Sequence, residues 1–209
     1  RSVPASRSHN RVARMNYNAL AQTFSGEVTM SKSVEPRLDA PGAGLPFIEG
    51  LYARYILFPR MMRGYDGAAV ADTFQRESKT IIDLATGVDD AAFFTPVLID
   101  RLPGLEDSSR YWSVAMVLEH LLLTMRAMMQ ITETLAAGQA MNVRISTADV
   151  KPKGGTATTK AQWIAFFKQA SDEVGARLAQ VANQPHVVTP PKDAPRVHHP
   201  FFGRIYAKG

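Results

Sequence analysis

Apolar residues recur at helical spacing along most of the chain between residues 45 and 183. Residues 111–138 belong to the longest stretch without an internal proline or glycine, and they are rich in leucine, methionine and alanine, which favour helix. The first four turns are apolar on nearly every side, which is typical of a central packed helix. We therefore predict that the rest of the chain packs around this segment.

Three further segments show helical periodicity. Residues 47–58 follow Pro46, which suits the first position of a helix, and Pro59 is expected to end or kink it. A second helix is predicted over residues 68–86, with Val70, Phe74, Ile81 and Ala85 on one face. A third is predicted from the capping-box residues Thr159 and Gln162 to residue 183. Its apolar stripe consists of Trp163, Phe166, Phe167, Ala170, Val174, Leu178 and Val181.

These patterns predict an all-α protein, an antiparallel helical bundle. No segment alternates between apolar and polar residues, so no sheet is predicted. Residues 88–110 contain the turn signal Leu102-Pro103-Gly104 and are expected to form a loop that packs on the helices. The bundle domain is assigned to residues 45–209. Residues 1–44, rich in serine, proline, glycine and arginine, are expected to form a flexible basic arm.

Composition removes several classes of function. The formal net charge of +5 is concentrated at the ends of the chain and charges nearly balance over the body, so nucleic-acid binding is not expected. The absence of cysteine excludes disulfides, thiolate metal sites and cysteine nucleophiles, and a cytoplasmic location is the default expectation. No run approaches eighteen uncharged apolar residues, so no membrane span is expected.

His120, inside the central segment, is the best single pointer to function. A lone histidine in an apolar helix is often a core residue that donates to a carbonyl or a hydroxyl, so a core role and a metal-ligand role both stand. Thr124 lies one turn away and could orient the ring. Ser113 is better explained as the N-cap of the central helix than as a nucleophile. No catalytic motif is present, so catalytic residues are unknown.

The segment from Trp112-Ser113 to His120-Leu121 resembles the "W-S-x-x-x-x-x-x-H-L" segment of the DinB/YfiT-like superfamily. The Val150-Lys151-Pro152 break and the phrase His199-Pro200-Phe201-Phe202-Gly203 resemble one branch of it, in which "HPfFG" precedes the last helix. The resemblance spans residues 47–209. It implies a four-helix bundle, often dimeric, in which three histidines hold a divalent metal such as nickel or zinc. One ligand matches His120, and the other two form His-x-x-x-His on the last helix.

The sequence departs from that pattern because it stops at Gly209, where the last helix would follow. His198 and His199 belong to the loop motif, and neighbouring side chains diverge too far to replace a pair one turn apart. Three alternatives stay open. The chain is truncated, or His120 builds an improvised site with Glu119 and one of these two histidines, or the domain is metal-free and completes its core with a second chain.

We therefore expect a DinB-like, divalent-metal-dependent enzyme, a hydrolase or a thiol-dependent transferase acting on a small molecule. His120 is its metal-ligand position, Thr124 its supporting residue, and His198 and His199 are further candidate ligands. The alternative is a non-catalytic interaction or assembly module without a complete metal site. A groove left open for a missing helix would expose an apolar strip, so a homodimer or a swapped arrangement is expected. The sequence does not identify the substrate or the role of residues 1–29.

Overall fold

Three long helices carry most of the hydrophobic core. The computed structural model describes residues 36–63, 67–141, 146–154, 157–182, 184, 187, 192–200 and 203–205. The helices in them are α1 (Phe47–Tyr52), α2 (Phe58–Met62), α3 (Gly67–Gly87), α4 (Asp90–Phe94), α5 (Val114–Ala136) and α6 (Lys160–Ala182). Short 3₁₀ turns occupy Asp107–Ser109 and Thr147–Val150. The chain is thus all-α, as the helical periodicity predicts.

Helix α6 lies at the centre of the packing, because it contacts both α3 and α5 along their lengths. The main cluster joins Phe93 of α4, Leu118 and Leu122 of α5, and Trp163 and Phe167 of α6. A second cluster continues the α5–α6 contact towards the carboxyl ends of both helices. Burial of these side chains is the main favourable contribution to folding, at about 1.5–3 kcal/mol for each large one.

By length and composition alone, α5 would also pass as a membrane span. That criterion carries little weight here, because the core helix of a bundle meets it equally well. Polar residues along α5, among them Glu119, His120, Arg126 and Glu133, are the kind that a lipid-facing helix avoids. Seven residues of α5 are buried in the core, namely Ala115, Leu118, Leu122, Met129, Ile131, Leu135 and Ala136.

Helices α5 and α6 begin with the caps that the sequence predicts. The Ser113 hydroxyl accepts the Met116 N–H at 3.2 Å at the start of α5. Before α6, the Thr159 hydroxyl accepts the Gln162 N–H at 3.2 Å, and the Gln162 side chain accepts the Thr159 N–H at 3.3 Å. Such reciprocal bonds satisfy N–H groups that have no partner inside the helix.

Two small antiparallel ladders depart from the prediction of no sheet. Strands β1 (Val97–Leu98) and β2 (Tyr111–Trp112) form one, and β3 (Val197–His199) and β4 (Gly203–Ile205) form the other. Strands of two or three residues are too short to show alternation, so the sequence pattern could not reveal them. Tyr111 and Trp112, which the sequence pattern predicts as the first residues of the central helix, form β2 of the first ladder. The helix begins instead at Val114. The first ladder also ties that helix to the segment predicted as a loop.

The first helical segment does not end at Pro59 but continues past it to Met62. A π-helical turn, Ala53–Leu57, joins α1 to α2, and Pro59 lies in the first turn of α2. Proline lacks an N–H and its ring crowds the carbonyl four residues earlier. The wider π turn directly before it accommodates both effects, and such turns are rare outside functional or strained positions.

The buried stripe of α6 follows the prediction except at Phe166. Phe167 is 2% exposed, whereas its neighbour Phe166 is 40% exposed. We predict that Phe167→Ala lowers the free energy of unfolding by about 3–5 kcal/mol, because it leaves a cavity in the main cluster. Phe166→Ala is the matched control and should cost less than about 1 kcal/mol. Urea denaturation followed by circular dichroism measures both, and equal losses would contradict this assignment of the core.

Candidate functional site

His120 lies in the second turn of α5, half-buried, next to the ladder that precedes the helix. Pairing of Trp112 with Val97 fixes the backbone of β2 directly before the Ser113 cap. The Trp112 ring therefore lies beside the imidazole, with ring centroids 5.1 Å apart and planes tilted by 54°. The indole covers one side of His120 with an apolar surface.

The orientation of the imidazole is set by a backbone carbonyl. His120 Nδ1 lies 2.7 Å from the carbonyl oxygen of Val150, which ends a 3₁₀ turn thirty residues later. A carbonyl can only accept, so Nδ1 carries the proton in this bond. In the neutral ring, Nε2 then has a free lone pair, which is the arrangement found in metal-binding and proton-accepting histidines.

Thr124 does not orient the ring. Among the described residues its buried hydroxyl has no hydrogen-bond partner, although it lies one turn from His120 as the sequence indicates. Val150 supplies the orienting acceptor instead. Glu119 also faces a different partner, because its carboxylate accepts the Lys153 N–H at 3.0 Å.

The Val150 carbonyl is held in place by a buried ion pair next to it. The Lys151 ammonium lies 3.1 Å from the Glu106 carboxylate, and the two side chains are only 13% and 5% exposed. The same ammonium donates to the hydroxyls of Ser108 and Ser109, each at 2.7 Å. All three of its N–H groups are thereby used. It also lies 5.0 Å from the centre of the Trp112 ring, within cation–π range.

Glu106 also attaches the end of the predicted arm to the domain. Its carboxylate accepts the backbone N–H groups of Gly42 and Gly44 at 3.0 and 2.9 Å. Both glycines have positive φ angles, 87° and 85°, a conformation that residues with a Cβ rarely adopt. Asp107 accepts the Asp39 N–H at 2.9 Å. Asp39, Gly42 and Gly44 are therefore hydrogen-bonded to the loop that precedes β2.

The electrostatics of Glu106 favour its charged form. Burial alone would raise the pKa of this carboxyl, but the bonds from the Gly44 N–H, Lys151 and Ser108 outweigh burial and lower the pKa below its ordinary value. A carboxyl whose pKa is lower in the folded state stabilises the fold above its unfolded pKa. That contribution is lost as the pH falls through the folded pKa.

His198 and His199 lie on a different part of the bundle. Their hairpin packs Val197 and Ile205 against Ile131 and Leu135 of α5, roughly 16–22 Å along the helix axis from His120 at 1.5 Å per residue. His198 is exposed and His199 is half-buried. Burial, and then the neighbouring His198, lower the pKa of His199.

The donor set of the described residues does not fit a three-ligand metal centre. In the part of the chain that the structure describes, no group of three or more His, Cys, Asp or Glu side chains could hold a metal ion. The improvised site of His120, Glu119 and a hairpin histidine is therefore not formed there. His120 offers a single prepared donor atom, Nε2.

Sequence reasoning missed the residues that position His120, namely Glu106, Trp112, Val150 and Lys151. The contacts of Val150 and Lys151 with the site join residues 30 to 45 positions apart, and helical periodicity carries no information on such pairs. One signal was present in the sequence: Lys151 lies within the predicted break, and the acid Glu106 lies within the predicted loop.

Comparison with known families gives one match. Residues 74–208, more than half of the chain, match the family model described as the mycothiol maleylpyruvate isomerase N-terminal domain. The matched range includes His120 and all the long helices except the first two turns of α3. No curated protein and no solved structure matches the chain significantly.

We predict that Glu106→Gln lowers the free energy of unfolding at neutral pH by about 3 kcal/mol, because it leaves the Lys151 ammonium buried without a counter-charge. The wild-type protein should also lose stability as the pH falls below 4.5, the ordinary pKa of a glutamate, and the variant should lose less. Urea denaturation at neutral pH and at a pH below 4.5 measures the free energy of unfolding of both proteins.

The matched control is Asp83→Asn, which removes an exposed carboxylate paired with Lys79. It should change stability by less than about 1 kcal/mol at either pH. If Glu106→Gln behaves like this control, the ion pair does not hold the segment in place.

Proposed function

Because the chain belongs to the mycothiol maleylpyruvate isomerase N-terminal domain family, a DinB-like superfamily domain, we propose that it is a divalent-metal-dependent enzyme centred on His120. Members of this family commonly bind divalent metals. The family description names a thiol, mycothiol, and an isomerase. A thiol-dependent transferase or isomerase, or a hydrolase, acting on a small molecule is the activity class that we propose for this chain.

The observation that carries the proposal is the bond from His120 Nδ1 to the Val150 carbonyl. It selects one tautomer and leaves the lone pair on Nε2. A core histidine needs only a partner for its N–H group. Here the partner belongs to a turn that a buried ion pair holds in place, which is the supporting structure that a ligand position requires.

The neighbouring side chains have separate tasks in this proposal. Trp112 excludes water from one side of the imidazole. Lys151 fixes the turn and does not bind substrate, because Glu106, Ser108 and Ser109 already occupy its three N–H groups. A catalytic zinc or similar ion takes about three protein ligands. His120 would supply one of them, and the described residues do not complete the set.

A second candidate function is a non-catalytic interaction module. It is favoured by the large exposed apolar side chains of the first helical segment. Among the described residues there is also no group of three His, Cys, Asp or Glu side chains that could hold a metal ion. Metal content separates the two candidates, because an interaction module has no need of a bound ion.

We predict that the purified protein, after incubation with zinc or nickel and removal of free metal, retains metal in a manner that depends on His120. His120→Ala should reduce the bound metal to background by elemental analysis, because it removes the one prepared donor. His198→Ala, which changes an exposed histidine on the hairpin, is the matched control and should leave the metal content unchanged.

Equal, near-zero metal in the wild type and in both variants would end the metal-dependent assignment. The interaction module would then be the better account. A loss of metal in His198→Ala, with the metal retained in His120→Ala, would place the ion at the hairpin rather than at His120.

A further inference from the structure

The first helical segment presents an apolar side to solvent. The exposed side chains follow the spacing i, i+1, i+4, i+5, i+8, i+9, which is one continuous stripe on a helix. Phe47 is 80% exposed and Tyr55 is 65% exposed. Together the three aromatic and three aliphatic side chains expose an apolar area on the order of 600 Å², the upper end of the largest patch on a typical monomer. We refer to this surface as the outer stripe, and it consists of Phe47, Ile48, Leu51, Tyr52, Tyr55 and Ile56.

Contacts on the opposite side of the same helix keep the outer stripe exposed. Glu49 forms a two-pronged ion pair with Arg101, at 2.7 and 2.8 Å, and accepts the Gly104 N–H at 3.2 Å. Ala53 is buried, and Phe58 packs against α5. The helix cannot turn its apolar stripe inward without breaking these contacts.

The loop bonded to this helix adds apolar side chains beside the outer stripe. It is joined to the helix through Arg101 and Gly104. Asp100 is the only acid in residues 97–102. Two neighbouring segments of the chain therefore expose large apolar side chains. Those of the loop are Val97, Leu98, Ile99 and Leu102.

The net positive charge lies in the part of the chain that carries the outer stripe. Residues 1–63 contain nine of the 24 Lys and Arg residues and four of the 19 Asp and Glu residues. They therefore account for the whole formal net charge of +5, and residues 64–209 have no formal net charge. Within the helical segment, residues 50–63 contain three arginines and no acid. The acid before them, Glu49, is neutralised by Arg101.

The side chains around the outer stripe suit the boundary between hydrocarbon and water. Arg60 and Arg63 are exposed beyond its carboxyl end. An arginine can bury its methylene stem against apolar surface while the guanidinium stays in water. Tyr52 and Tyr55 are both more than half exposed, and each combines an apolar ring with a hydroxyl, which favours the headgroup level of a bilayer.

An anionic membrane surface matches both the apolar area and the charge. An amphipathic segment binds such a surface by burying its apolar side at the boundary of the acyl chains, while basic residues are attracted to anionic headgroups. A nucleic acid would match the charge but would leave the apolar side chains in water. A second copy of the chain would cover the apolar side but would bring two basic segments together.

We propose that the outer stripe and the adjoining loop dock on the surface of an anionic membrane, with Arg60 and Arg63 at the level of the lipid phosphates. The contact is peripheral, and no helix crosses the bilayer in it. It involves neither His120 nor a metal, so its failure would leave the proposed function untouched.

The test is co-sedimentation of the full chain with vesicles of roughly 70% phosphatidylcholine and 30% phosphatidylserine, compared with vesicles of phosphatidylcholine alone. The wild type should bind the anionic vesicles at least about tenfold more strongly than the neutral ones, because residues 1–63 carry the positive charge. Raising the salt concentration should weaken this binding.

Substitutions separate the apolar contribution from the charge. Phe47→Ser combined with Ile48→Ser should weaken binding by about tenfold or more, because both side chains would leave the bilayer. Leu84→Ser is the matched control, since Leu84 is 69% exposed on α3, and it should bind like the wild type. Arg60→Gln should weaken binding roughly fivefold, whereas Arg76→Gln, which changes an exposed arginine of α3, should have little effect.

The remaining outcomes would overturn the proposal. These are a wild type that binds no anionic vesicles, equal binding to neutral and anionic vesicles, and binding that the variant with Phe47→Ser and Ile48→Ser retains. In the last case charge alone would account for the contact. Light scattering without vesicles completes the test. A wild-type dimer that this variant loses, together with no vesicle binding, would assign the outer stripe to a second copy and also overturn the proposal.

Discussion

The buried pair of Glu106 and Lys151 is the interaction on which the geometry of this domain depends. It joins three segments that are far apart in sequence: the glycine turn at Gly42 and Gly44, the loop before β2, and the turn after Thr147. Removing two charges from water is costly unless hydrogen bonds satisfy the remaining donors and acceptors. Here two backbone N–H groups and two serine hydroxyls do so.

The pair determines the chemistry of the domain through a single peptide group. Lys151 directly follows Val150, whose carbonyl accepts the His120 Nδ1 proton. The contacts of Lys151 therefore restrict the peptide that carries the Val150 carbonyl. Because this carbonyl accepts the proton on Nδ1, it selects one tautomer of the His120 imidazole. The polar groups around His120 support its orientation, and Nε2 is the atom that would bind a metal in the function proposed above.

Helical periodicity and capping rules were sufficient to predict the body of the fold. The helix over residues 68–86, a long helix around His120 and the capping box at Thr159 are all confirmed, although α6 rather than the helix of His120 lies at the centre of the packing. The resemblance around His120 is confirmed at the level of the superfamily. The branch defined by the HPFFG phrase stays a prediction, since Phe201 and Phe202 lie outside the described residues.

The remainder depends on contacts that no local pattern encodes. Periodicity shows that the first helical segment has an apolar side, but it does not show that this side faces solvent. It likewise predicted that Phe166 is buried, because a stripe has a width that only the neighbouring helices define. The orienting partner of His120 could not be chosen from the sequence either, since Thr124 was nearer along the chain than Val150.

The tautomer of His120 tests the central claim most directly. Two-bond proton–nitrogen correlation NMR on the uniformly ¹⁵N-labelled, metal-free protein, at a pH where the ring is neutral, distinguishes a proton on Nδ1 from one on Nε2. The account predicts the Nδ1–H form in the wild type and loss of that preference in Glu106→Ala. An Nε2–H ring in the wild type, or the averaged signal of a freely exchanging histidine, would contradict it.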